Sequence, residues 1–302
     1  MFSASVDEPA SVADHLQDLL AHHSGDIRAG AKALHNLAEQ VGNTEDAARF
    51  ASVVAHVVGE ESGNWDLARN LIASLEARYR KSVGVQGNMA VACYLTSHWL
   101  AGVEAETRAM AAAEESALSV CVWIRLSAAH AFQGQRDWPS CFAIFGQTLD
   151  LANGLSAGSR HDTAIAAVTN NLASDLLEFE HRTAAHDEAL ERAALLSHAM
   201  WQRAGSWIHQ QRAEYLLALA YNALRHHDEA RQAAERAIAI MEGHGDEPVD
   251  RAFINIELAL ALRALKREGE FEAARKRAQE IAAQFDDPGL KQWFQSKYAR
   301  IA

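Results

Sequence analysis

The sequence predicts an all-α fold, a solenoid of about seven helix pairs ended by a single capping helix. Three observations lead there. First, Gly63-Asn64-Trp65-Asp66-Leu67-Ala68-Arg69 returns in altered form as Arg225-His226-His227-Asp228-Glu229-Ala230-Arg231 and as Gly269-Glu270-Phe271-Glu272-Ala273-Ala274-Arg275. A Gly or polar residue ends one helix, an Asp or Asn caps the next, an aromatic wedges into the bend, and an Ala packs at the crossing. The phrase therefore reads as a helix-turn-helix corner. Second, Ala, Leu, Glu and Arg dominate, residues that lose little on entering a helix, and only 4 prolines interrupt the chain. Third, apolar residues recur at helical spacing throughout, and no run reads as a strand.

The elements follow in order from that spacing, with Gly, Asn, Asp and Pro as punctuation. Residues 1–10 read as a flexible amino terminus, and helices follow at 11–22, 26–41, 45–61, 65–80, 85–101 and 104–117. The corner at Gly63 joins the third of these to the fourth, and the paired histidines His22-His23 sit at a helix end, where they can bond terminal carbonyls. Clearer repeats occupy 118–286, with helices at 118–134, 138–153, 159–180, 184–204, 207–225, 228–243, 248–267 and 271–284. Gly154-Leu155-Ser156-Ala157-Gly158 joins two of them, so its Gly-x-Ser-x-Gly pattern is a loop; a nucleophile elbow needs a strand before the serine. His226-His227 marks another helix end. The last helix, 287–300, is unpaired, as the cap of residues 287–302 should be, because the open end of a final pair exposes an apolar face. Leu95, Ala129, Ala173, Ala218 and Leu262 fall at comparable points of successive first helices, in steps of 34, 44, 45 and 44 residues. Small or medium residues there let helices approach closely. The domain expected is one continuous solenoid over 11–302, with divergent repeats over 11–117.

Leu217-Ala218-x-x-Tyr221, followed by Asp228-Glu229-Ala230 and Ala237, resembles the tetratricopeptide repeat (TPR), in which Leu, a small residue, Tyr, Ala and Ala recur within each unit. Gly63 to Arg69 and Gly269 to Arg275 resemble that family's turn and second-helix start. Asn170-Asn171-Leu172-Ala173 is similar to the first helix of the longer-repeat, kinesin-light-chain-like and regulatory variety. The resemblance implies a right-handed superhelix whose first helices line a concave groove for an extended or helical peptide. Carried onto this chain, the groove face offers His130, Gln133, Asn170, Ser174, Arg212, Tyr215, Asn222, Arg263 and Lys266. An amide such as Asn170 can donate and accept at once, so it can pair with a peptide backbone. The alternative reading of this set is a solvated helix face. The Lys-Asn-Arg clamp of chaperone-tail-binding TPR domains is absent in order, while Arg212, Arg263 and Lys266 leave room for an anionic or C-terminal segment towards the carboxyl half.

Charge narrows the partners. Acidic residues outnumber basic ones 40 to 28, and a net charge of −12 is repelled by nucleic acid and by anionic membrane surfaces. No run of about 18 apolar residues spans a bilayer. The start of the chain lacks a basic stretch followed by an apolar core, so it is not a secretory signal. Cys93, Cys121 and Cys141 are scattered and form no Cys-x-x-Cys pair, which points to buried thiols in a reducing, cytoplasmic setting.

The function expected is a non-catalytic scaffold that binds a protein or peptide segment, with no cofactor or metal, and with the divergent amino-terminal pairs as a candidate homodimer surface. Two rivals stand beside it. One is a regulatory sensor for a signalling peptide or small effector. The other is a helical metal-dependent hydrolase using His56, Glu60 and His161: His56 and Glu60 lie one turn apart, a spacing that can ligate a metal, but His-Glu-x-x-His is missing. His161-Asp162 reads more simply as a helix-start capping pair. No phosphate-cradling glycine loop is present. Most of the tryptophans, including Trp65, Trp123, Trp138 and Trp207, are expected at corners and in the core, with Trp99 as a groove candidate.

Overall fold

The computed structural model describes residues 11–22, 27–79, 81–114, 116–159 and 161–302. The expected flexible segment 1–10 and His23 lie outside them. Among the described residues the chain is all-helical. The helices are α1 (Val12–His22), α2 (Ile27–Leu37), α3 (Thr44–Val54), α4 (Trp65–Glu76), α5 (Val83–Leu95), α6 (Trp99–Ala111), α7 (Ala117–Gly134) and α8 (Trp138–Ala152). They continue as α9 (Asp162–Glu178), α10 (Ala184–Ala204), α11 (Trp207–Ala223), α12 (His227–His244), α13 (Pro248–Ala264), α14 (Glu268–Ala282) and α15 (Pro288–Tyr298). A π-helix, Ala55–Glu61, carries α3 onward to the first corner. Within the chain's first half α3 pairs with α4, α5 with α6 and α7 with α8, and within its second half α9 pairs with α10, α11 with α12 and α13 with α14, each pair packing on the next in its own half, which is the architecture of a helical solenoid.

The helix starts are chemically explicit. Asn43, Asn64, Ser82, Ser116, Asp137 and Asp287 each accept from a backbone N–H in the first turn of the helix they precede. Pro139, Pro248 and Pro288 stand in the first turns of α8, α13 and α15, where a missing N–H costs nothing. The α10 and α11 starts use histidine: His186 Nδ1 accepts from Thr183 N–H at 3.2 Å, and His209 Nδ1 from Ser206 N–H at 3.2 Å.

The corners share one geometry. Ser97, Arg136, Arg225 and Lys266 all have φ of 60° to 64°, the left-handed region that favours glycine. The residue after each donates its N–H back five positions, to the carbonyls of Cys93, Phe132, Tyr221 and Leu262 at 2.8 to 2.9 Å. Gly63, with φ of 68°, plays this part after the π-helix. Two expectations change. Lys266 is the turn residue of the α13–α14 corner, so its side chain does not lie on a first-helix face. Gly269, aligned with Gly63 by sequence, sits inside the first turn of α14, three residues past the true corner.

The α5–α6 corner also moves. The spacing places it between 101 and 104, whereas the structure turns at 96–98. Gly102 is buried inside α6, and a Cβ there would stand 2.5 Å from the Tyr94 ring, so the glycine serves close packing rather than a turn.

The chain divides into two compact units, Met1–Leu155 and Ser156–Ala302. The division falls in the Gly154–Gly158 loop, which joins α8 to α9 as expected and has φ of +91° at Gly158. The first unit is built around Leu34, Phe50, Ile72, Leu75, Ile124 and Leu126, all at most 1 % exposed. In the second, Ile165, Leu172, Leu176 and Leu190 are equally buried, and Phe253, Phe285 and Phe294 form an edge-to-face cluster under α15. α15 thereby covers the apolar face of α13 and α14, each fully buried side chain of that size contributing about 1.5–3 kcal/mol.

Candidate functional site: a cleft in the second unit

The second unit holds a cleft of about 610 Å³. It is lined by the first-position helices α9, α11 and α13, and by α15, which continues that series. α9 and the segment after it contribute Ser174, Leu177, Glu178, Phe179, Glu180 and Arg182; α11 contributes Tyr215, Leu219 and Ala223; α13 contributes Glu257. From the carboxyl end come Trp293, Lys297 and Arg300, spaced i, i+4 and i+7 so that they share one face.

The floor is a satisfied charge network. Glu257 is 2 % exposed; its Oε1 accepts from Arg300 Nη1 at 2.6 Å and its Oε2 from Asn222 Nδ2 at 2.9 Å. Arg182 is likewise committed, through Nε to Asp187 at 2.8 Å. Tyr215 lines the same cleft as Glu257 and feels its charge. Burial first, and then the Glu257 carboxylate, push its phenol up, so it remains a neutral donor. Its hydroxyl makes no hydrogen bond to another described residue. At the rim, Lys297 Nζ and Glu178 Oε1 are 3.8 Å apart, with side chains 39 % and 79 % exposed, a pairing that stabilises little. Glu180 is exposed and has no partner among the described residues. Trp293 is half-exposed, with one side of its ring against Phe253.

Of the nine residues proposed from sequence, the cleft gathers Ser174 and Tyr215, with Asn222 fixing its floor. Asn170 lies one turn before Ser174, partly buried, its amide 3.4 Å from Asn171 Oδ1. Arg212 is bound to Asp250 at 2.7 Å, linking α11 to α13. Arg263 is spent on the Arg300 carbonyl and the Phe271 ring. In the first unit, His130 is drawn to Glu60 at 3.8 Å, and Gln133 is only 5 % exposed, which removes its amide from any groove face. The basic trio Arg212, Arg263 and Lys266 therefore does not converge on an anionic ligand. The sequence reading missed Glu178, Glu180, Trp293, Lys297 and Arg300. The 293–297–300 spacing on the helix expected as a cap is the signal in the sequence that points to them.

Two residues of the hydrolase reading, His56 and Glu60, are paired with each other. His56 Nδ1 meets Glu60 Oε2 at 2.9 Å and Nε2 meets Glu61 Oε1 at 3.5 Å, on the π-helix. Burial pushes the Glu60 carboxyl up, but hydrogen bonds from His130 and His56 outweigh it and hold it at about 2. Asp162, beside His161, is buried and accepts from Gly158 N–H at 3.1 Å. Among the described residues no three His, Cys, Asp or Glu side chains are arranged to hold a metal ion. Cys93, Cys121 and Cys141 are buried thiols, burial pushing Cys121 and Cys141 up to about 12. Trp99 opens α6 and is 48 % exposed, beside Leu100 at 84 % and Val103 at 53 %. It borders a recess of about 210 Å³ with Tyr94, Arg125, Ile144 and Gln147.

These features define an all-α helical-repeat protein with a ligand-sized cleft on the first-position helices of its second unit. No known family profile and no curated protein matches the chain. Among solved structures it is similar to BtubC (BKLC) from P. vanneervenii, at 18 % identity over 82 % of this chain and 96 % of that one, with a TM-score of 0.44. It is also similar to the assembly chaperone of RpL4 (Acl4, residues 1–338), at 16 % identity over 95 % of each chain, with a TM-score of 0.35.

Proposed function

We propose that this is a non-catalytic binding protein of TPR-like repeats, and that the cleft of its second unit receives a segment of a protein or peptide partner. One observation carries the reading: α9, α11, α13 and α15 all present side chains to a single cleft, with an unspent Tyr215 hydroxyl and a half-exposed Trp293 in its walls. A donor can take a peptide carbonyl while the indole covers an apolar side chain. The helices hold both groups in place before binding, so mainly the ligand loses freedom. A net charge of −12 disfavours nucleic acid and anionic lipid as partners, and no helix among the described residues is long and apolar enough to cross a membrane. Three buried thiols suit the reducing conditions of the cytoplasm.

The test is selection of peptides from a displayed library on the full chain. Enriched sequences should protect amides of α9, α11 and α15 from hydrogen exchange, and Tyr215→Phe with Trp293→Ala should abolish enrichment. Equal enrichment on that double variant would remove the cleft from the function.

A volume of about 610 Å³ also fits a small effector, which keeps a sensor reading alongside the first. In that case a metabolite, not a peptide, would shift exchange in the same helices. In the first unit, the exposed knob Leu100 and the recess bordered by Trp99 and Val103 share one helix. A two-fold axis would seat each knob in the other copy's recess, so this face is our candidate homodimer surface. Sedimentation should show concentration-dependent dimers that Leu100→Asp dissociates; a monomer at every concentration would end that idea.

A further inference from the structure

The geometry points to a basic side chain, lysine or arginine, as the group the second-unit cleft recognises, a specificity that rests on the peptide-binding reading above. Charge accounting leads to it. Glu257 is neutralised by Arg300 and Arg182 by Asp187, each at hydrogen-bond distance. What remains at the rim is Glu178 and Glu180 against Lys297 alone, an excess of one negative charge.

Backbone dipoles reinforce that sign. Leu177 and Glu178 end α9, Ala223 ends α11, and Arg300 follows the end of α15, so three helix carboxyl termini meet at the cleft. Their terminal carbonyls favour a cation. Arg182 already samples this preference, its Nη1 lying 3.5 Å from the Leu176 and Leu177 carbonyls.

The cleft's apolar walls suit the same occupant. A lysine or arginine stem needs an apolar track, and Trp293, Leu177 and Leu219 provide one below the carboxylates. The guanidinium or ammonium head then reaches Glu178 and Glu180, and the exposed face of Trp293 adds attraction for a cation. Lys297 does not block entry. Its separation from Glu178 is 3.8 Å and the Glu178 side chain is 79 % exposed, so the pair is weak and an incoming cation displaces Lys297 at little cost. The adjacent peptide carbonyl falls to the Tyr215 hydroxyl. The overall charge of −12 steers such a ligand inward.

Calorimetry on the full chain tests this with the acetylated, amidated peptide Ala-Leu-Arg-Leu-Ala and its counterparts carrying Gln or Glu at the centre. The Arg peptide should bind about tenfold tighter than the Gln peptide, and the Glu peptide weakest of the three. Glu178→Gln with Glu180→Gln, both at exposed positions, should bring the Arg peptide down to the affinity of the Gln peptide while the melting curve stays unchanged. Free agmatine binding as tightly as the Arg peptide would overturn a peptide source. Equal affinity for all three peptides, or preference for Glu, would overturn the basic specificity and leave the peptide-binding reading standing. No binding by any of them would remove both.

Discussion

Gly59 lies flat against the indole of Trp65, so close that a Cβ on residue 59 would stand 2.7 Å from two ring carbons. The contact locks the end of the π-helix to the start of α4, and Trp65 is only 3 % exposed as a result. The same device recurs in the first unit, where a Cβ on Gly87 would run into the Trp123 ring and one on Gly102 into the Tyr94 ring.

Two opposing effects bear on Gly59→Ala. Alanine favours the helix by about 1 kcal/mol, but overpacking against a buried indole costs about 1–3 kcal/mol, and the helix backbone leaves it no room to move aside. The clash should win, for a net loss of about 1 kcal/mol. Gly243→Ala in α12 is the control, because a Cβ there meets nothing within 4 Å; it should gain about 0.5–1 kcal/mol. Urea denaturation of both variants checks the pair, and a stabilised Gly59→Ala would show that Trp65 can yield.

The left-handed corners hold stability in reserve. Arg136, Arg225 and Lys266 occupy φ of 60° to 64°, which costs a side-chain-bearing residue about 1 kcal/mol relative to glycine. Part of that is returned by the greater freedom glycine has when unfolded. Each single change to glycine should raise stability by about 0.5–1 kcal/mol, and Arg136→Val should lower it, since branching worsens the strain. Thermal melts of the four variants give the order directly.

Those corners also explain what could be read from sequence. The apolar spacing yields the helices because burial on one face leaves a period that composition cannot hide, as Ala129, Ala173 and Ala218, all 0 % exposed, illustrate. The corners were harder. Gly63-Asn64-Trp65, Ser97-His98-Trp99 and Arg136-Asp137-Trp138 are equivalent turns, yet only the first shows glycine at the left-handed position. Gly269 stands at the place in the repeated phrase that Gly63 holds, yet it sits within a helix. The groove face suffered most. A first helix has several polar positions, and which of them meets solvent depends on the rotation of its neighbours, which no local spacing records. Gln133 thus has the spacing of a groove residue and is buried, while Trp293, on the helix expected as a cap, lines the cleft.

Arg300 and Glu257 tie the last helix to α13. Removing the guanidinium leaves a carboxylate, 2 % exposed, with Asn222 as its remaining side-chain partner. Because Arg300 itself is 42 % exposed, the loss is smaller than for a fully buried pair, and Arg300→Met should cost the second unit about 2 kcal/mol. Glu257→Gln combined with Arg300→Met should recover part of this, since no unpaired charge is then buried. A double variant as unstable as the single one would mean that packing of Arg300, rather than its charge, holds α15 in place.

The two units should respond to pH in opposite senses. In the second, burial holds the His186 pKa below its usual value, and neutral Nδ1 must accept from Thr183 N–H to cap α10. A histidine lowered on folding contributes stability that is complete above about pH 6.5 and is lost as pH falls through the lowered value. In the first unit, the hydrogen bond to Glu60 raises His56 despite its partial burial. That contribution is complete below about pH 6.5 and fades as pH rises through the raised value. Glu60, held at about 2, limits it on the acid side: its share is present above the ordinary 4.5 and disappears towards 2. Hydrogen exchange between pH 5 and pH 8, corrected for intrinsic rates, should therefore show α10 losing protection at the acid end and the α3–π-helix segment at the alkaline end. His186→Gln keeps an acceptor at the same cap position without a titrating ring, so it should abolish the acid loss in α10 and leave the His56 response untouched. Acid loss that persists in this variant would locate the sensitivity elsewhere in the second unit.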